Sequence, residues 1–384
     1  MQRVSGPHLM RPPLSRALSI PLRTVGCGFL VTVALLFGGG TAGGGALATA
    51  DQTATASGPT ATTSGGQKRV CVYDHNYISG LAKFAALVER RTIDCAMVYT
   101  GSPDWAGWVD PWYLHDPDPD LNWAAWVRNS PASDRRQLIV SQPLIPSGLA
   151  GTDWRSRGAA GAFETYAREF AYYLVARGVG DTIIRLSWEM NYTGNIDNIG
   201  TTRPEAREWV QFWRNTVKAM RSVPGAHFKF VWCINNRYRN IPFSSYYPGD
   251  DVVDIIGDDV YDAGVPHGLQ RWKTVDRSAG GLASLIDFAR SHHKPIAIPE
   301  WGVGVPNRSN LAGGDDPSYV RGIAHTVADN NVAFQTYFFA HEWARQLEHG
   351  PRSLGAYRAA FGNGGYADGP DDGTGAVAAP RAPG

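Results

Sequence analysis

Residues 183–191 read IIRLSWEMN, and residues 295–303 read PIAIPEWGV. Each stretch runs through small or β-branched apolar residues to a glutamate, Glu189 in the first and Glu300 in the second. Apolar residues on successive positions are typical of strands covered on both faces, as in parallel sheets. If both runs are strands of one parallel barrel, both glutamates lie at the rim formed by the carboxyl ends of the strands.

The same pattern, a short β-forming run followed by an amphipathic stretch, recurs along the chain. It predicts helices at 160–177, with Gly178 as the stop signal, and at 204–221, with proline in the first turn. It predicts strands at 70–74, 95–101, 137–146, 182–191, 228–236, 253–262, 295–303 and 332–340.

Eight such strands alternating with helices predict an α/β fold, a (β/α)8 TIM barrel that forms a single catalytic domain. A doubly wound open sheet is the competing fold. No glycine-rich phosphate-binding turn follows the first strand, which favours the barrel.

The ends of the chain differ in composition from its middle. Residues 1–48 carry four arginines and no acid, then an apolar run and Ala46-Leu47-Ala48, which predicts a cleaved signal peptide. An uncleaved membrane anchor is the alternative, but the apolar run is shorter than the ~20 residues that span a bilayer. We expect a flexible Thr/Ser/Gly-rich linker at 49–67, the (β/α)8 domain at 68–364 and a disordered tail at 365–384.

The charge balance gives no reason to expect nucleic acid or an anionic membrane as a partner. The formal net charge is +1 and falls to −3 when the four arginines of the signal are removed. We therefore expect no nucleic acid and no stable membrane insertion after signal cleavage. The predicted protein is secreted, in solution or at the cell wall, monomeric, and free of cofactors and metals.

Three cysteines remain after the signal, Cys71, Cys95 and Cys233. An oxidising compartment permits a disulfide, and Cys71 with Cys95 is the favoured pair because they begin neighbouring strands at the same end. Cys233 is then a buried free thiol. Three free core cysteines are the alternative.

The two rim glutamates suit glycoside hydrolysis with retention of configuration. That reaction needs two carboxyls about 5–5.5 Å apart, one to protonate the leaving group and one to attack the anomeric carbon. Strands four and seven face each other across an eight-stranded barrel, so side chains at their ends meet over its mouth. An ion pair of Glu189 with Arg185 is the purely structural alternative.

Together with DIIGDDVYD at 254–262, these two stretches resemble the retaining barrel glycosidases, most of all glycoside hydrolase family 26 with its β-mannanases. The resemblance covers nearly all of the predicted domain. It implies that Glu189 is the acid/base, that Glu300 is the nucleophile, and that Tyr261 contacts the nucleophile.

One departure concerns the sugar. Family mannanases usually have histidine before the acid/base and many relatives have asparagine, whereas this chain has Trp188, so mannan is not a safe expectation. Asn191 is a candidate replacement. The predicted substrate-binding residues are Arg185, Trp188, Asn191, Tyr261, Trp301, Asp259, His75, Trp108, Trp232 and His341.

The leading hypothesis is a secreted retaining β-glycoside hydrolase, endo-acting on a β-mannan-like, β-glucan or β-xylan polysaccharide. One alternative is a catalytically degenerate barrel that only binds glycans. The other is a metal-dependent extracellular hydrolase that uses the aspartates near strand six, Asp258, Asp259 and Asp262. Alternation along a strand sends neighbouring aspartates to opposite sides, which weakens the metal hypothesis.

Overall fold

The computed structural model describes residues 69–93, 95–131, 135–235, 238, 241–261, 269–303, 314–339 and 347–362. The predicted signal peptide, linker and tail lie outside these residues, so those boundaries stay predictions. Within the described ranges, no helix is both long and apolar enough to cross a bilayer.

The eight predicted strands are confirmed, and they form one closed parallel barrel in chain order, with β8 paired to β1. This architecture confirms the predicted (β/α)8 fold. The strands are β1 Val70–Tyr73, β2 Cys95–Tyr99, β3 Gln137–Gln142, β4 Ile183–Leu186, β5 Lys229–Asn235, β6 Ile255–Tyr261, β7 Ile296–Gly302 and β8 Val332–Phe338.

The helices surround the barrel. In the described part of the chain they are α1 Ser79–Leu87, α2 Trp105–Val109, α3 Trp123–Arg128, α4 Trp154–Ala159, α5 Glu164–Ala176, α6 Arg203–Arg221, α7 Leu269–Arg277, α8 Leu282–Ser291, α9 Pro317–Asp329 and α10 Pro351–Phe361.

Both predicted helices are present, with the largest boundary shift, of four residues, at the start of α5. Helix α6 begins at a capping box, in which Thr202 and Glu205 exchange side-chain and backbone hydrogen bonds, an arrangement typically worth about 1 kcal/mol. Helix α5 begins at Glu164 rather than at residue 160, because Gly161 turns the chain with a φ of 87°. Its predicted stop at Gly178, which has a φ of 75°, is confirmed.

Alternation along the strands divides the core into two layers. Inward side chains such as Met97, Val231 and Ala297 fill the lower barrel. Outward side chains such as Trp232 and Trp301 pack in the larger layer between barrel and helices. Because these side chains fill the interior, the lower barrel is a packed core and not a channel.

The cysteine prediction is confirmed. Cys71 and Cys95 are direct partners in the β1–β2 register, with Cα atoms 4.3 Å apart, and they form a disulfide. Cys233 is a buried free cysteine.

Candidate active site

Glu189 stands on a strained turn at the end of β4. The strand stops at Leu186, short of the predicted residue 191, because Ser187 and Glu189 adopt φ values of 51° and 49°. This left-handed region costs a non-glycine residue roughly 1–2 kcal/mol. The Ser187 N–H donates to Gln142 on β3 at 2.8 Å, and the Glu189 N–H donates to Cys233 on β5 at 2.9 Å. Bonds to both flanking strands therefore hold Glu189 at the rim.

Asn235, the last residue of β5, orients the Glu189 carboxyl. Its Nδ2 donates to Glu189 Oε1 at 2.5 Å. Asn191 in turn accepts the Asn235 N–H at 3.0 Å and donates to the Asn235 and Tyr238 carbonyls at 2.7 Å. The predicted substrate contact of Asn191 is corrected, because its amide is engaged by this backbone and it instead fixes Asn235.

Glu300 is buried on β7 and both of its oxygens are held. Tyr261 donates to Oε2 at 2.7 Å, so the implied contact between these two residues is present. Oε1 accepts from the Tyr99 hydroxyl and, at 2.7 Å, from Arg185 Nη1. Three donors from β2, β4 and β6 thus fix the carboxylate in one orientation.

Arg185 lies beneath the carboxyls with no exposed surface. Its Nη2 also donates to Asp259, which is equally buried and accepts a bond from the Cys233 thiol at 3.3 Å. The predicted substrate contacts of Arg185 and Asp259 are therefore corrected: neither side chain reaches the surface that a sugar would touch. Arg185 forms ion pairs with Glu300 and Asp259, and the alternative of an ion pair between Glu189 and Arg185 stays a prediction.

The pKa values of the two buried acids shift in opposite directions. Burial alone would raise the pKa of Glu300, but the Arg185 charge and the bonds from Tyr99, Tyr261 and Arg185 outweigh burial and lower it. Burial raises the pKa of Asp259 well above its usual value against the Arg185 charge, and the charges of Glu300 and Glu189 add to the rise. Glu300 is accordingly the acid most ready to be an ionised nucleophile.

The carboxyls of Glu189, Asp259 and Glu300 converge, and one oxygen from each lies within 4.8 Å of the others. Three acids so close could hold a cation. Here a guanidinium already bonds Glu300 and Asp259. Alternation also turns Asp258 away from the cluster, since Asp259 faces inward, and Asp262 lies outside the described residues.

Two further predicted contacts stand at the rim. Trp188 is half-buried, with its ring edge-on to Tyr99 at 5.1 Å and the Arg185 guanidinium 5.6 Å from its centroid. His75 follows β1, is about one-quarter exposed (27%), and bonds Asp74 at 2.6 Å. The substrate contacts of Trp188 and His75 stay predictions. His341, the remaining predicted contact, lies outside the described residues.

Three predicted contacts are wrong because their rings face the helices. Trp232 packs against Tyr246, with ring centroids 5.7 Å apart, and Trp301 stacks on Tyr357 at 5.7 Å. Trp108 donates its indole N–H to the Pro143 carbonyl at 2.9 Å behind the rim. All three are 2% exposed or less. They support the barrel wall and leave no face for a sugar.

Tyr99 and Asn235 were not predicted from the sequence, yet they touch the two glutamates. Each is the final residue of an inward-alternating strand. That position is the signal that could have found them, because the last inward side chain of a barrel strand points into the mouth.

Residues 183–286 match the family model of glycosyl hydrolase family 26. Over this segment the chain is similar to the glycosidases of family 26. The matched segment includes Glu189, Asp259 and Tyr261 and ends before Glu300, and it confirms the resemblance predicted from the sequence. No curated protein matches the chain in sequence.

Solved structures of similar shape include several family 26 enzymes. An endo-β-1,4-mannanase double mutant from Cellulomonas fimi is 16% identical, with 77% of this chain and 71% of that chain covered and a TM-score of 0.53. The catalytic domain of the endo-β-1,4-mannanase from Bacillus sp. JAMB-750 is 15% identical, with 77% and 86% covered and a TM-score of 0.52. A β-mannanase from Bacteroides ovatus is 14% identical, with 76% and 87% covered and a TM-score of 0.51. At these identities the likeness shows the fold.

Proposed function

We propose that the chain is a secreted, retaining β-glycoside hydrolase that cleaves a polysaccharide internally by double displacement. Glu189 is the acid/base and Glu300 is the nucleophile. The observation that carries this proposal is the approach of their carboxyl oxygens to within 4.8 Å. Retaining enzymes have carboxyls about 5–5.5 Å apart, whereas inverting enzymes leave about 6.5–9.5 Å for a water molecule.

In the first step, an oxygen of Glu300 attacks the anomeric carbon of the sugar bound at the rim. The bond to the leaving oxygen breaks, and Glu189 gives its proton to that oxygen. In the second step, Glu189 takes a proton from water, and the water oxygen displaces Glu300 from the anomeric carbon. Two inversions at one carbon give net retention.

The surroundings of the two carboxyls suit these different tasks. Glu300 is bonded by Arg185, Tyr99 and Tyr261, which lower its pKa and keep it ionised. Asn235 Nδ2 donates to Glu189 Oε1 and orients this carboxyl at the rim. A carboxyl positioned there can exchange a proton with a bound substrate.

The proposed substrate is a β-mannan-like, β-glucan or β-xylan polymer. The similar structures named above are mannanases, which supports a β-linked glycan. Trp188 argues against assuming mannan, because an indole offers one donor where family mannanases usually have an imidazole. Secretion is supported by the buried Cys71–Cys95 disulfide, a bond typical of oxidising compartments.

A polysaccharide panel tests the proposal. Purified wild type, Glu300→Gln and the control Glu169→Gln, an exposed carboxyl on α5, are incubated with mannan, mixed-linkage glucan and xylan, and product lengths are resolved. We expect wild type and control to release mixed oligosaccharides from one polymer and Glu300→Gln to release none. Full activity of Glu300→Gln would overturn the assignment. Binding without products by the wild type would favour the glycan-binding alternative.

A further inference from the structure

A second concave site lies at the opposite end of the barrel from the glutamates. It is a cavity of about 780 Å³, lined where β3 and β4 begin by residues such as Gln137 and Thr182. The charged residues in its described lining are four arginines and one acid: Arg69, Arg128, Arg135, Arg136 and Asp181. We call these five residues and the space between them the basic cavity.

Among the described residues, the bonds to three of the four arginines of the basic cavity go to carbonyls, which do not neutralise their charge. Arg128 donates to the Arg177 carbonyl at 2.7 Å, and Arg136 donates to the Trp126 carbonyl at 2.7 Å. Arg69 donates to the Arg135 carbonyl at 3.4 Å. A carbonyl satisfies an N–H group but carries no compensating charge. These bonds therefore fix the guanidinium groups in place while leaving each positive.

Asp181 is the one acid among the described lining residues, and it offsets little of the arginine charge. Asp181 lies 3.6 Å from Arg135, with side chains 62% and 82% exposed, and such exposed pairs are typically worth less than about 1 kcal/mol. Asp181 is also 3.2 Å from His227. Four arginines against one aspartate give the described lining a formal charge of +3. This is a strong local excess in a chain with a net charge of +1.

The lining indicates which ligand would fit. Guanidinium groups bind carboxylates and phosphates in a fork geometry. None of the described lining residues is aromatic, so this part of the cavity wall offers no flat face on which neutral sugars or nucleic-acid bases stack. Its concave shape and limited size suit a few anionic groups of a narrow chain rather than a membrane surface.

We propose that the basic cavity binds an acidic polysaccharide through its uronate carboxylates or phosphodiester groups. This second site would attach the barrel to an anionic glycan while the rim at the other end remains open to the chain that is cleaved. The choice of a glycan as the polyanion rests on the proposed function. The requirement for a polyanion rests on the cavity alone.

The test measures equilibrium binding of the full-length protein to polygalacturonate, to poly(glycerol phosphate) and to neutral dextran. We expect binding to at least one of the two acidic polymers and none to dextran. The two acidic polymers separate carboxylate from phosphodiester recognition. We also expect the affinity to fall at least about tenfold between low salt and ~0.5 M NaCl, where charge interactions are screened within a few ångströms.

Matched variants locate the binding. Arg128→Gln/Arg135→Gln should weaken binding at least tenfold, and Arg128→Lys/Arg135→Lys, which keeps the charge, should weaken it less. The control Arg168→Gln/Arg290→Gln removes the same charge from exposed helix positions that pair with acids, and it should bind like the wild type. Thermal unfolding identifies any variant that fails to fold. If the glutamine pair fails to fold, the binding of Arg128→Lys/Arg135→Lys and the salt dependence of the wild type test the proposal instead.

Three results would overturn the proposal: equal loss in the control pair, equal binding of dextran, or tighter binding of duplex DNA or phosphatidylglycerol vesicles than of either acidic polymer. Hydrolysis of a small aryl glycoside is measured in parallel. It should be unchanged in every cavity variant, so that failure of this site is distinguishable from failure of the proposed catalysis.

Discussion

Arg185 Nη1 lies 2.7 Å from Glu300 Oε1, and the guanidinium is fully buried. The same side chain bonds Asp259 from below. The buried Arg185 cation lies between Glu300 and Asp259. It favours the ionised form of Glu300 and fixes the orientation of its carboxylate. Removing it should affect both stability and catalysis.

Replacing Arg185 tests that relationship. Arg185→Met leaves two buried acids without their cation, and loss of one partner of a buried ion pair typically costs about 3–5 kcal/mol. We expect denaturant unfolding to show a loss of that size. Adding Asp259→Asn should recover part of it, because one buried acid is then neutral. Additive losses in the double variant would contradict the proposed coupling.

Tyr99 provides a prediction about pH. Its hydroxyl is one of the donors that lower the pKa of Glu300, so Tyr99→Phe should raise that pKa. Because catalysis needs ionised Glu300, the acidic limb of the kcat/KM profile should move to higher pH. Loss of a bond to a charged group, worth about 1.5–3 kcal/mol, should lower kcat roughly 10- to 100-fold. Tyr166→Phe, a tyrosine on α5, is the control, and an unshifted acidic limb in Tyr99→Phe would argue against the role of Tyr99.

Glu189→Ala should respond to azide. With an activated aryl glycoside the leaving group needs no proton, so Glu300 still forms the glycosyl-enzyme and the second step becomes slow. Azide should restore turnover and yield the β-glycosyl azide, since it attacks the same face as water. Wild type should not respond. Formation of the α-glycosyl azide would instead indicate that Glu189 is the nucleophile and Glu300 the acid/base.

The disulfide gives a stability prediction. Cys71 and Cys95 are 24 residues apart, and closing a loop of that length stabilises a fold by about 3 kcal/mol in the chain-entropy treatment. We expect reductant to lower the denaturation midpoint of the wild type and to leave Cys71→Ala/Cys95→Ala unchanged. A wild type whose thiols become reactive without any shift in midpoint would contradict the prediction.

The barrel could be predicted because its strands are apolar on both faces and its order is regular. Because the strands are apolar on both faces, the sequence does not indicate which side of a strand faces the barrel interior. In β5, Trp232 and Cys233 are both compatible with either face, and the structure turns Trp232 outward. A shift of one residue in the assumed alternation is therefore enough to turn a predicted sugar contact such as Trp232 into a ring buried against the helices.

The two glutamates could be placed at one rim from chain order alone, since parallel strands end on one side. The hydrogen bonds that hold the two glutamates could not be predicted in this way. The turn at Glu189 depends on carbonyls of Gln142 and Cys233, and the Glu300 bonds come from Tyr99 and Arg185, all remote in sequence. Local patterns carry no record of such pairings.

The account's central claim, that Glu300 is the nucleophile, is tested most directly by trapping the intermediate. The wild type is treated with an activated 2-deoxy-2-fluoro β-glycoside of the sugar that it hydrolyses best, and its peptides are analysed by mass spectrometry. The account predicts one fluoroglycosyl adduct, on the peptide that contains Glu300. An adduct on the Glu189 peptide, or no adduct together with release of the inverted α-anomer from the natural polymer, would contradict it.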